Sequence, residues 1–460
     1  MEKRTTKKEV VIIGAGITGL TTAFRLQQAG WKVTLLEKSN RVGGQIETHK
    51  QKGFLFESGP NTGVVSYPEV AELFADIQLP LTTATPLANN RWIWRKKKFY
   101  ALPSSLISAI TTPLFTWKDK FGILAEPFRK PGTNPNETLA ELVKRRMGKS
   151  YLKYAIDPFI SGIYAGDVTK LVTRYALPKL YNLEQEYGSF IGGAIKKRGI
   201  PKTKRDLLAT KKCFSAPNGL QDLTDALAQQ IGKENIQCGA NDICIEPNTN
   251  NTFTIRYQTE QGAVELTTDK VITTVGAYAL PALLPFISSQ KMTPIAQLEY
   301  APVVQVAVGF KNIKGHEQRA FGGLVPSHAK RKVLGILFPS SCFAERAPQN
   351  GALFSFFIGG TRYPAICEES DKAIEKLVRK ELHKMLQLPK ELVPDLIQIF
   401  RHEKAIPQYH VSSGARFEAI HAIEQEYTGL ILGGNMCGGI GLPDRIKQGC
   451  QMAERLKETN

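Results

Sequence analysis

The chain has 460 residues, 42% apolar and 22% charged, with a formal net charge of +18; that is the make-up of a globular protein with room for two or three domains and a large core. Its seven cysteines form no CxxC pair and its seven histidines no HxxxH pattern, which argues against structural zinc or a disulfide framework and for reduced thiols in the cytosol. The charged start MEKRTTKKEV lacks the apolar run of a signal peptide, and no window approaches the roughly 18 to 20 apolar residues of a spanning helix, so the expected location is the cytoplasm.

The apolar run EVVII reads as a buried parallel strand that delivers the chain into GAGITG. Gly14 allows the tight turn, Gly16 lets a pyrophosphate approach the backbone, and Gly19 lets the following helix, expected over 17–29, pack on the sheet. A second strand, WKVTLLE, ends in Glu37, 18 residues beyond Gly19 and close to the roughly 20 expected for the acid that accepts ribose hydroxyls. An acid there favours an unphosphorylated ribose. The continuation KSNRVGGQIETHKQKGFLFESGP carries Arg41, Gly43 and Gly44 and a second tight turn at Gly59 and Pro60. Paired glycines would let the backbone pass close to a flavin, whereas a nicotinamide dehydrogenase would move directly to its next βαβ unit.

From 91 to 130 the sequence mixes Trp92, Trp94, Phe99, Tyr100, Phe115, Trp117 and Phe121 with Lys and Arg. This composition suits an amphipathic element at an anionic membrane interface, or a helical subdomain covering a cleft. Further cations cluster in KRRMGK and between 196 and 212, where nucleic acid, a membrane surface, acidic substrates and plain solvation are all readings of the charge. The stretch from 137 to 183 is helical in pattern, and SGIYAGD reads as a turn between helices. Alternating strands return in NIQCGANDICIEP, FTIRYQ and VELTTDKVITTV; a strand-rich region from 301 to 406 follows, with one long helix in KAIEKLVRKELHKML. Near the end, LILGGNMCGGIGLPDRIKQG reads as a strand returning beside the first one, a glycine turn, and a helix opened by Pro443. The N-terminus of that helix would point its free N–H groups at a flavin's pyrimidine edge, where reduction gathers negative charge.

RxGG following GxGxxG resembles the superfamily of FAD-dependent amine oxidases, carotenoid desaturases and protoporphyrinogen oxidases. Beyond it, FESGPN, ANNRWIW, SGIYAGD, FGGLVP, LGILFPS, FFIGGTR, IPQY and GGNMCGGIGLPD occur in the order seen in the oxygen-dependent porphyrinogen oxidases of haem synthesis, and the chain is identified as a member of that family. The resemblance implies an α/β fold: a discontinuous Rossmann-like FAD-binding domain (1–85, 211–298 and 409–460), a mixed-sheet α+β substrate domain (299–408), and a helical, membrane-associating subdomain (86–210). It implies FAD contacts from Gly14, Ala15, Gly16, Ile17, Thr18 and Gly19, and from Glu37, Lys38, Arg41, Gly43, Gly44 and Gln45. Further contacts are implied from Gly59, Pro60, Asn61 and Thr62, from Asp242 and Ile243, and from Asn435, Ile440, Gly441 and Leu442. Asn61 stands where some members have arginine, so no charged flavin contact is carried over there.

The implied reaction removes six electrons from protoporphyrinogen IX in three two-electron steps. Flavin N5 takes hydride, oxygen is the final acceptor, and three hydrogen peroxide are released. No catalytic side chain and no metal is required. Arg91 would hold a propionate, Gly162 would lie over the macrocycle edge, and Leu324 and Ile358 would sandwich the rings. Coproporphyrinogen III is the alternative substrate. Amine oxidation is a more distant one, because Met436 and Cys437 supply no aromatic residue to the glycine turn. Partners expected beside substrate and oxygen are an anionic membrane surface and either a haem-pathway enzyme or a second copy of the chain; nucleic acid is set aside.

Overall fold

The computed structural model describes residues 8–103 and 106–458, so most of the charged N-terminal stretch read against a signal peptide lies outside the described residues. The strand Glu9–Ile13 is central to a five-stranded, all-parallel sheet. Lys32–Leu36 and then Ile236–Gln237 lie on one side of it, Lys270–Thr273 and then Leu430–Leu432 on the other. The last strand therefore pairs with Lys270–Thr273 and sits at the sheet edge, not beside the first strand as the sequence suggested. The place next to Glu9–Ile13 is taken by Lys270–Thr273, whose Val271 and Ile272 are fully buried in register with Val11 and Ile12.

Both faces of this sheet are covered, which is why its strands read as unbroken apolar runs. On one side the helices Ile17–Gln28, Gln221–Ile231 and Leu442–Glu458 bury a cluster that includes Leu20, Phe24, Leu227 and Ile446. The first and last of these pack closely because Gly449 has no side chain: a Cβ there would lie 2.7 Å from Thr21 Cβ. Thr22 Oγ1 donates to Gly449 O at 3.2 Å across the same contact. On the other side lies the antiparallel sheet Asn241–Pro247, Phe253–Thr259, Gly262–Thr268 together with the helix Ser413–Glu426.

A second, seven-stranded mixed sheet runs in the order Leu396–Pro407, Tyr300–Phe310, Ala352–Gly359, Val333–Leu337, Gly322–Leu324, Arg91–Arg95, Lys98–Ala101. Its last two strands are a hairpin whose turn residues Lys96 and Lys97 both have positive φ, the geometry of the tightest hairpin loop. The start of the 91–130 tract is therefore neither an interfacial element nor helical. Trp94 is buried among Val306, Ile336 and Phe356, and Trp92 packs edge-on to Phe338. The large exposed apolar side chains of the tract come after the hairpin, in the helices Leu106–Thr111 and Trp117–Leu124 and at Phe128. Residues 91–101 thus lie in the seven-stranded sheet, not in the helical region.

The helical region is organised around charge. Glu126 and Arg146, both fully buried, form an ion pair, and Glu126 also accepts from Ser189 Oγ at 2.7 Å, Phe190 N at 2.9 Å and Ile191 N at 3.1 Å. Burial pushes this carboxyl up, but those donors and Arg146 outweigh it and leave it below the usual range. Glu184, also buried, adds a second contact to Arg146 at 3.3 Å and pairs with Arg145 at 2.8 Å. Removing one partner strands an uncompensated charge in the interior. Glu126→Gln is expected to destabilise the protein by ~3–5 kcal/mol, visible as a lowered thermal midpoint; a midpoint equal to that of the unaltered protein would remove this network as the support of the helical region.

Candidate active site

The two glycine turns follow strands of the parallel sheet that are separated only by Lys270–Thr273, and both lie at the end of the sheet where open α/β folds bind ligands. In the first, Gly14 has φ +102°, and a Cβ on Gly19 would fall 1.9 Å from Gly14 O, so the helix can rest on the turn only without a side chain. A Cβ on Gly16 would meet nothing within 4 Å. Gly16 is also the N-cap of the helix Ile17–Gln28 and provides no side-chain cap, and no acid stands in the first turn. Free space and uncapped N–H groups on Ile17 and Thr18 are what a diphosphate needs. Glu37 closes the cradle: its carboxylate accepts from Ala15 N at 2.7 Å and Ser39 N at 2.8 Å and keeps lone pairs for ribose hydroxyls.

The paired glycines meet this cradle directly. Gly16 and Gly43 form a parallel bridge, and a Cβ on Gly44 would lie 3.2 Å from Gly16 Cα. Arg41 folds onto its own turn, donating to Gly44 O at 2.9 Å and Ile46 O at 3.0 Å and pairing with Glu47 at 3.1 Å. Lys38 and Gln45 are exposed beside it, and Gly59 touches Gln45 so closely that a Cβ would come within 1.9 Å of Gln45 O. Asp242, with positive φ, and Ile243 follow a segment in which Ala240 N donates to Glu37 O at 2.9 Å, which sets them on the ribose side of the cradle. Pro60 precedes Asn61, whose Oδ1 accepts from Ser355 Oγ at 2.7 Å, and Thr62 Oγ1 donates to Phe214 O at 2.6 Å. These bonds fasten the 59–62 turn between the two sheets.

The second glycine turn is shaped by side chains from elsewhere in the chain. Tyr409 OH donates to Asn435 O and Gly439 O at 3.3 and 3.2 Å, and Tyr300 OH donates to Asn435 Oδ1 at 3.1 Å. Arg416 donates to Met436 O, Arg445 to Cys437 O, and Gln448 accepts from Gly434 N at 2.9 Å. Ile440 packs toward Tyr164 and Tyr409, Gly441 N donates to Asp444 Oδ2 at 3.0 Å, and buried Leu442 reaches Gly63. Aromatic residues therefore do enter this turn, from other elements and through their hydroxyls. IPQY flagged Tyr409 in the sequence; Tyr300 and Arg416 carry no local signal, and Arg445 reads simply as one more position of the last helix.

The strand registers define the face that looks toward this cofactor region. Arg91, Gly322, Leu337, Ser355 and Ala307 are direct cross-strand neighbours, as are Ile93, Leu324, Gly335, Phe357 and Gln305. Ser355 bonds Asn61, and Gln305 Nε2 donates to Glu57 O at 2.7 Å, so both rows face the cofactor side. Leu324 meets Gly162, where a Cβ would lie 2.4 Å from Leu324 Cδ2. Arg91 is exposed at the start of its strand, with its guanidinium 5.4 Å from the Phe321 ring centre. Ile358 is not part of this wall. It pairs with Val304 and Val333 and is fully buried on the opposite face among Phe356 and Val378. A one-residue shift along a strand reverses the face, and Phe357 holds the position expected of Ile358.

Glu57 lies just before the 59–62 turn and is almost fully buried. Burial pushes its carboxyl up to about 7 from the ordinary 4.5, against hydrogen bonds from Thr48 Oγ1 at 2.6 Å and Leu220 N at 2.9 Å. Between those pH values the unfolded chain has released a proton that the folded chain retains. Stability therefore falls as pH rises from 4.5 to about 7 and levels off above, by ~3 kcal/mol in all. Glu57→Gln is expected to remove that fall. Denaturation curves of the two proteins whose difference stays constant from pH 4.5 to 7 would disprove the assignment.

A family model described as flavin containing amine oxidoreductase matches residues 17–457. The mitochondrial protoporphyrinogen oxidase of Nicotiana tabacum is 29% identical over 98% of this chain and 95% of its own. The coproporphyrinogen III oxidase of Bacillus subtilis strain 168 is 27% identical over 96% of each chain. In fold, a crystal structure from Exiguobacterium sp. 255-15, provisionally described as a protoporphyrinogen oxidase, superposes with a TM-score of 0.81 at 23% identity, over 99% of this chain and 100% of its own. With a cradle that fits a dinucleotide and a match along nearly its whole length, the chain belongs to the flavin-containing amine oxidoreductase family and is an oxidoreductase with FAD as its cofactor.

Proposed function

We propose that the chain is an FAD-dependent porphyrinogen oxidase of haem biosynthesis, with protoporphyrinogen IX as substrate and oxygen as electron acceptor. One arrangement carries the reading: a flat sheet face thinned by Gly322 and Gly335, closed over by Gly162 against Leu324, with Arg91 at its rim. A porphyrinogen is a broad apolar disc with carboxylates at its edge. Leu324, Leu337 and Phe357 offer dispersion contact to such a disc, and a guanidinium suits a propionate. Bound FAD supplies the two-electron chemistry, taking hydride from a carbon bridge and passing electrons to oxygen. The chain's own part is to hold the macrocycle against the cofactor side, keep water out and neutralise the propionate; pyrrole N–H protons can leave as the macrocycle tautomerises, so no side-chain base is needed.

Coproporphyrinogen III is the second reading, favoured by Arg95. This residue shares the strand face of Arg91 and Ile93, and four residues at ~3.3 Å each set the two arginines roughly 13 Å apart, a spacing suited to carboxylates on opposite edges of one macrocycle. The deciding experiment is porphyrin fluorescence growth and peroxide release by the FAD-loaded protein on both porphyrinogens; oxidation of neither above its spontaneous rate would overturn the proposal. Arg91→Ala is expected to raise KM on the order of tenfold with a smaller change in kcat, since a charge-assisted hydrogen bond is worth about 1.5–3 kcal/mol. An unchanged KM would remove its role.

We further propose that the protein works at the cytoplasmic face of a membrane. In support, Ile107, Trp117, Phe121, Leu124 and Phe128 are 62 to 89% exposed, and cations such as Lys120 lie among them. No helix among the described residues is long and apolar enough to cross a membrane, so attachment would be interfacial. The protein should sediment with anionic vesicles at low salt and be released as salt is added. Protein left in the supernatant at low salt would contradict this.

A further inference from the structure

Two guanidinium groups are buried against the second glycine turn, and among the described residues no carboxylate pairs with either. Arg416 is 1% exposed; its Nε donates to Met436 O at 3.0 Å and its NH2 to Ser413 Oγ at 3.0 Å, and it lies over the rings of Tyr409 and Phe417. Arg445 is 7% exposed; it donates to Cys437 O at 2.7 Å, Gln448 Oε1 at 2.8 Å and Gly434 O, while its buried Nε has no partner. Fully buried Arg146, by contrast, faces Glu126 and Glu184.

The acids nearby are engaged otherwise. Asp444 accepts from Gly441 N and from Tyr67 OH, Glu424 accepts from Leu432 N and pairs with Arg455, and Glu299 faces His410. Burial keeps the Tyr409 and Tyr300 phenols neutral, at about 12, and holds the Cys437 thiol up as well. The turn thus sets two buried guanidinium charges against the single carboxylate of Asp444, a net positive charge to which the N-terminus of Leu442–Glu458 adds its own N–H groups.

Uncompensated buried charge is unfavourable unless an opposite charge arrives. Two-electron reduction of bound FAD with uptake of one proton leaves one net negative charge on the ring. We propose that Arg416 and Arg445 are the resident counter-charges for that reduced state. They are positioning residues, acting through their field and through the carbonyls they bond. A guanidinium on Met436 O or Cys437 O polarises that peptide unit and strengthens its N–H end as a donor. By linkage, charge that binds the reduced form better than the oxidised form raises the reduction potential by the same amount. The proposal needs FAD in the site but not the porphyrinogen reading, and its test omits the porphyrinogen.

The test is an equilibrium reduction of the FAD-loaded full chain against a reference dye, for Arg416→Gln, Arg445→Gln and the charge-retaining Arg416→Lys and Arg445→Lys. Each Gln variant should shift the reduction equilibrium at least about tenfold toward oxidised flavin, ~30 mV for a two-electron couple, with each Lys variant remaining closer to the unaltered protein. For any variant that purifies without FAD, the dissociation constants of oxidised and reduced FAD, measured with added cofactor, give the same ratio. Loss of affinity that is equal for both oxidation states, or Gln variants within about threefold of the unaltered equilibrium, would assign the arginines to scaffolding alone and overturn the proposal.

Discussion

Parallel register in a single small sheet is the constraint on which the rest of the protein depends. Pairing Ile13 with Thr273, and Thr273 with Leu432, brings three strands from distant parts of the chain to a common end. Thr274 secures the junction by donating from Oγ1 to Ile13 O at 3.1 Å and Gly14 O at 2.9 Å. Both glycine turns then leave the sheet at the same edge, one suited to a diphosphate and the other to a flat ring. Neither turn would be a site without the other. The close packing of the first and last helices through Gly449 keeps the two in fixed relation.

The second sheet depends on the first for its meaning. Its strands could present either face to the cofactor region, and the contacts that decide are few: Gln305 to the Glu57 carbonyl and Ser355 to Asn61. With those made, period-two alternation assigns every residue of the wall. Polar bonds thereby orient a surface that is itself nearly all apolar, and the opposite face, with Phe354, Phe356 and Ile358, is left to the helix Asp371–Met385. The helical region relies on a different device, a buried ion pair that also caps the helix Phe190–Arg198.

Much of the cofactor cradle was legible in the sequence because its requirements are local. Strand, glycines, helix and acid lie within one βαβ unit, and each glycine has a separate steric reason to be there. The wall of the second sheet was harder to read, because which residues face inward depends on register, and register is set by partners far along the chain. Ile358 and Phe357 are equally apolar, and only the pairing with Val304 tells them apart. The position of Leu430–Leu432 at the sheet edge and the arginines behind the second turn were hidden for the same reason. RWIWRKKK is hard to read by composition: its tryptophans alternate into a core while Lys96 and Lys97 form the hairpin turn.

The interleaved sheet also sets a condition on how the protein is made. Thr274 and Ile13 are 261 residues apart, so the first strand leaves the ribosome well before the neighbour that completes its hydrogen bonds. At about 5–20 residues per second, that interval lasts on the order of ten seconds to a minute. During it an apolar strand waits with one edge open, a state in which chains associate wrongly with one another. The second glycine turn takes its place later still, when Leu430–Leu432 joins the sheet. Nascent chains of this protein should therefore depend on whatever shields them during translation.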